Sequence, residues 1–137
     1  MSSATAHTDS APRWMRWTGW LFSLAVVAQL LSSAWFRATH HISAVAEIVT
    51  SYGYPESAIV PIVIAKYALV VLYLVPQTSV IAAIVMTGYL GGAVATHLRI
   101  ADTARAAIPL LVGILAWGGL YLRDSRIRQL VPLRRSA

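Results

Sequence analysis

The chain has 137 residues, room for one domain, and is 58% hydrophobic with only 12% charged residues. Soluble domains carry about 45–50% apolar and about 25% charged residues, so the excess apolar material must face lipid and a soluble globular fold is excluded. The net charge of +6 sits mostly on arginines flanking apolar runs, which points to membrane orientation rather than nucleic acid, and the absence of cysteine removes disulfides, thiol nucleophiles and thiolate metal sites.

Residues 1–12 are mainly Ser, Ala and Thr, a disordered tail with nothing to bury. Arg13 and Arg16, with Trp14, Trp17 and Trp20 among them, form an interfacial collar. The first span, about 18–36, holds no charge and ends at Trp35 and Phe36. Its arginines, apolar core and Ser32-Ser33-Ala34 also outline a cleaved signal peptide, but the long Trp-rich lead-in argues for a retained helix. In the following loop Ile42, Val45, Ile48, Val49 and Tyr52 keep a helical period, expected as a short amphipathic helix at the interface. Gly53 and Pro55 end it.

The second span, about 58–75, carries Lys66 near its middle, and Pro76-Gln77-Thr78 turns tightly into the third, about 80–98. A short polar loop with Asp102 leads to the fourth, about 106–122, where Gly113, Ala116 and Gly119 are small packing positions. The expected fold is therefore an all-α bundle of four transmembrane helices over residues 13–134, ending in a basic tail from 123 to 137. With both termini on one side, that side holds seven arginines and the other three, which places both termini in the cytoplasm.

The third span reads as the packing seam. Gly88, Gly92 and Thr96 fall four apart, and so do Ala83, Thr87, Gly91 and Ala95 on the neighbouring face. In lipid such small-residue rows let helix backbones approach closely, within the bundle or between copies.

Lys66 is the sharpest chemical feature, because an ammonium at mid-membrane costs about 2.5–3.5 kcal/mol and usually faces the bundle or water. No Asp or Glu lies within a span. Tyr67, Tyr73, Tyr89, Thr87 and Gln29 are the inner polar groups, and one of the tyrosines, or a bound anionic or quinone-like ligand, would satisfy it. The candidate pocket residues are Lys66, Tyr67, Tyr89, His97 and Arg99. A hydrogen bond from His97 to Asp102 is expected across the loop. His40, His41, His97 and Glu47 lack the spacing of a metal site, so no metal is expected. No catalytic set is visible, and the GYLGGA run follows no strand, which removes a phosphate-loop reading.

The runs YGYP (52–55), LYLVPQTS (72–79), TGYLGGAVATHLR (87–99) and WGGLYLRDSRIRQLVPLR (117–134) resemble the DoxX-like family of small bacterial four-helix membrane proteins. The resemblance covers about Trp17 to Arg134, and Gly88, Gly91, Gly92, His97, Arg99, Arg123 and Asp124 carry it. It implies a bacterial inner-membrane protein, distantly linked to quinone-linked sulfur oxidation and to a mycobacterial complex resisting oxidative stress. It also implies an acidic residue near the position of Lys66, where this chain reverses the charge. Two functions are expected to compete. One is an accessory subunit or lipophilic-ligand-binding module without intrinsic catalysis, bound to a membrane protein partner or a second copy. The other is a quinone-linked oxidoreductase component, which needs a cofactor that the chain does not supply. A small-molecule transporter is a third and would need an oligomer.

Overall fold

The computed structural model describes residues 12–130. The polar tail lies outside them apart from Pro12, as do Arg134 and Arg135. Helix α1 spans Arg13–Thr39, α2 His41–Val45, α3 Ile59–Leu74, α4 Ser79–Arg99, α5 Thr103–Arg123 and α6 Ser125–Leu130. A π-helical turn, Ala46–Ser51, continues α2, and a 3-10 turn, Glu56–Ala58, leads into α3. Four stretches, Arg13–Thr39, Glu56–Leu74, Ser79–Arg99 and Thr103–Arg123, are long and apolar enough to cross a membrane. The expected four-helix membrane architecture is the one the chain adopts.

Local chemistry sets the helix ends. Val75 precedes Pro76 and leaves the helical region at φ −78°, ψ 118°, because the proline ring crowds a helical neighbour. α4 closes in a Schellman turn: Asp102 N–H donates to the His97 carbonyl at 3.0 Å and Ala101 N–H to that of Leu98 at 3.0 Å. Ala101 takes the left-handed position of that turn, with φ 58°, where glycine is the usual occupant. The Asp102 carboxylate then caps α5 by accepting from Arg105 N–H at 3.0 Å. The expected His97–Asp102 side-chain bond therefore does not form; the two residues meet through their backbones because the carboxylate is spent on the cap.

The helices pack in a ring: α1 on α3, α3 on α4, α4 on α5, and α5 back on α1. Val26, Leu30, Tyr73, Met86, Ala116 and Leu120 fill the centre, while Val71, Ile81 and Leu110 point outward and are more than half exposed. That inside-out distribution suits lipid as the surrounding solvent. Ile127 of α6 folds back into the central cluster, so part of the basic segment after α5 is packed structure.

α1 and α5 approach closely at Gly19 and Gly119. A Cβ on Gly119 would meet the Gly19 carbonyl at 3.1 Å and Ser23 Oγ at 2.8 Å, and one on Gly19 would meet the Gly119 carbonyl at 2.9 Å. Tyr73 pins this seam by donating its hydroxyl to the Ala116 carbonyl at 2.8 Å. Arg123 lies 4.8 Å from the ring centres of both Trp20 and Tyr73. By contrast, a Cβ at Gly88, Gly91 or Gly92 would meet no described atom within 4 Å, and Ala95 is also exposed. Within the chain, close approach is thus made by Gly19 and Gly119 and not by the glycine-rich face of α4. Ala83 is buried, and Thr87 accepts from Trp117 Nε1 at 2.9 Å, so only the start of that small-residue row meets α5. Gly113 is looser, with Leu90 at 3.6 Å from its would-be Cβ.

The expected short helix between the first two spans is present, with Val45, Ile48 and Tyr52 of its expected face turned inward and Ala44 joining them. Ala44, Ile48 and Tyr52 are buried against Ile59, whereas Ile42 is 87% exposed. The widened π turn (Tyr52 N–H to the Glu47 carbonyl, 3.1 Å) turns Glu47 and Tyr52 toward the bundle together.

Candidate functional site

Residues of α1, α3, α4 and α5, with Glu47 and Tyr52 of the 37–57 connection, line a partly open cavity of about 470 Å³. Its chemistry starts at Lys66, the chain's one lysine. The residue is only 5% exposed, and its Nζ donates to Ser33 Oγ at 2.7 Å. Ser33 Oγ in turn donates to the Leu30 carbonyl at 3.1 Å. An ammonium has three N–H donors, and this hydrogen bond uses one of them.

Four residues from Ser33, one turn further along α1, Arg37 faces the same cavity. It pairs with Glu47 at 2.8 Å, and Glu47 also accepts from the Tyr52 hydroxyl at 2.9 Å. Both carboxylate oxygens are therefore engaged. Burial, then the hydrogen bond and charge of Glu47, push the Tyr52 phenol above its ordinary pKa. Arg37 Nε and His97 Nδ1 are buried without a hydrogen-bond partner among the described residues. Unpaired buried polar atoms of this kind are uncommon and costly.

A second cavity of about 650 Å³ lies beside the first, between α3 and α4 under the π turn. Arg37, Tyr52, Tyr89, Ala93 and His97 line both and form the wall between them. Gly88 and Gly92 line this second space, which explains why an added Cβ would meet nothing there. The connection is braced over it by Arg99, which donates to the Tyr52 carbonyl, and by a Tyr54–Thr96 hydroxyl contact of 3.0 Å.

Lys66, Tyr89 and His97 of the candidate set are thus brought to one cavity. Tyr67 is 37% exposed on the outside of α3 and lines neither space. Arg99 braces the connection and lines neither space as well. The partner of Lys66 is Ser33, which was not among the inner polar groups weighed for it. Depth could have found it: Ser33 lies six residues before the end of α1 and Lys66 seven after the start of α3, both about 10 Å in. Arg37, Glu47 and Tyr52 read in sequence as loop and flank residues and carry no visible pocket signal.

The donor set (Lys66 Nζ, Arg37 Nε) suits a molecule bearing hydrogen-bond acceptors. Among the described residues no group of three His, Asp or Glu side chains gathers to hold a metal ion.

The sequence profile of the DoxX-like family matches residues 22–119, which include α3, α4 and most of α1 and α5. No curated protein and no solved structure matches the chain significantly. With four membrane-length helices and a profile match over more than half its length, this chain is a membrane protein that belongs to the DoxX-like family.

Proposed function

We propose that the chain is a membrane-embedded binding module for a lipophilic ligand, acting as an accessory component without catalysis of its own. The observation that carries this reading is Lys66: a buried amine, held by one hydrogen bond, facing a cavity beside two unpaired polar atoms. A stability role alone would not favour such a residue, since insertion of a lysine at mid-membrane costs about 2.5–3.5 kcal/mol. The two cavities fall within the 300–1,000 Å³ range typical of small-molecule sites. A quinone carbonyl is one acceptor that Lys66 and Arg37 could hold, with its ring against Tyr89. The balance of arginines supports a cytoplasmic side for both termini, and the family supports a bacterial inner membrane; the cavities would then face the outer leaflet.

Native mass spectrometry of protein released in a mild detergent tests the reading. A stoichiometric small-molecule adduct, lost in Lys66→Met while the fold is kept, is the expected result. Equal retention by the variant would remove the site.

A further inference from the structure

We infer that the ligand is an amphiphile with a single negative charge, its head at Lys66 and its chain along Gly88 and Gly92. This rests on the binding reading above and adds the ligand's charge and the path of its tail.

The charge follows from a count of groups around the central cavity. Lys66 and Arg37 are the two cations set into its wall, and Glu47 is the carboxylate facing them. Arg105 at the mouth is paired with Asp102 at 3.4 Å and cancels against it. With Lys66 protonated, one positive charge is left over. Glu47 cannot neutralise Lys66 as well, because Arg37 occupies one of its oxygens and the Tyr52 hydroxyl the other. A buried charge without a counter-charge is costly, and an anionic head would remove that cost by taking the unspent N–H groups of Lys66 and the free Nε of Arg37. A neutral head would satisfy the donors and leave the charge unbalanced.

The path of the tail follows from the glycines. Ala58, Pro61, Ile62 and Ala93 give the space between α3 and α4 apolar lining beside its polar residues, with Gly88 and Gly92 on its α4 side. Side chains at these two positions would project into it unopposed. The bare backbone therefore keeps open a furrow that adjoins the charged cavity through Tyr89 and His97. An alkyl chain fits that furrow in lipid, where it exchanges one apolar surface for another. Carboxylate and phosphodiester heads share this chemistry, so a free fatty acid and an anionic phospholipid are its two sources.

The test uses the full chain in a non-ionic detergent, stripped of bound lipid and titrated separately with oleate, phosphatidylglycerol and oleyl alcohol under native mass spectrometry. One oleate or one phosphatidylglycerol should bind, roughly tenfold more tightly than the alcohol, as expected for a charge-assisted contact. The anion that binds identifies the source. Lys66→Met should abolish the preference, and Gly92→Leu should weaken the anion roughly tenfold while Gly91→Leu, outside the furrow, leaves it unchanged. Oleyl alcohol bound as tightly as the anions, yet lost in Lys66→Met, would overturn the anionic ligand and keep the binding site. Loss of none of the three in Lys66→Met would overturn both, and binding of none to the parent chain would overturn the anionic amphiphile. Anion binding unaffected by Gly92→Leu would overturn the tail path.

Discussion

The Lys66 ammonium donates to the Ser33 hydroxyl at 2.7 Å across the α1–α3 contact, joining the deepest charge of the chain to a residue 33 positions earlier. The bond gives Lys66 a fixed direction into the cavity and leaves it donors to spend. Ser33→Ala should therefore destabilise the fold by about 1–3 kcal/mol, because it strands a buried charged donor. In a Lys66→Met background the same substitution should cost much less. A double-mutant cycle of unfolding free energies in mixed micelles measures the difference, and additive effects would show that the pair is not coupled.

The Gly19–Gly119 contact predicts a sharp contrast among glycines. Gly119→Ala should destabilise by about 1–3 kcal/mol, since its Cβ must push against the α1 backbone at Gly19 and Ser23. Gly91→Ala meets nothing and should be neutral or gain up to about 1 kcal/mol from helix propensity. Thermal melting of the two variants in one detergent decides it; equal melting shifts would contradict the seam.

Ala101 offers a stabilising change. Its left-handed backbone costs about 1 kcal/mol for a residue with a Cβ, and Ala101→Gly relieves it at the Schellman turn. Melting temperature should rise by a few degrees, and a fall would mean that unfolded-chain entropy outweighs the relief.

Tyr52 gives a pH dependence with a definite sign. Its folded pKa is raised, so the folded state keeps the phenol proton more firmly than the unfolded state does. The stabilisation is fully present below the ordinary tyrosine value of about 10 and is lost as pH rises through the folded value. The parent chain should therefore lose more stability than Tyr52→Phe between neutral pH and the range above about 10. Parallel alkaline denaturation curves for the two proteins would contradict the raised pKa that burial and Glu47 give the Tyr52 phenol.

Much of the fold was legible because lipid imposes a simple rule: apolar runs of membrane length must be helices, and tight Pro-containing turns join them. Lys66 stood out for the same reason, as a charge where the bilayer tolerates few. The packing was less legible. Gly88, Gly91 and Gly92 form an obvious small-residue row, yet the close helix contact uses Gly19, the single glycine of α1, and Gly119 on α5. A row of glycines fits a seam and an open furrow equally well, and the choice depends on helix rotations that residue spacing does not fix. Ser33, Arg37, Glu47 and Tyr52 were hidden because a long-range hydrogen bond and a π turn brought them inward.

Lys66 is the chain's single lysine, so a ligand held by it inside the bundle is directly observable. Biosynthetic ¹⁵N-lysine labelling places one side-chain ¹⁵Nζ signal in an NMR spectrum of the detergent-solubilised protein. This signal should be shielded from rapid exchange with water in the protein as extracted, and should shift when bound lipophiles are stripped away. A signal with the shift and exchange rate of a free, solvated lysine, unchanged by stripping, would contradict it.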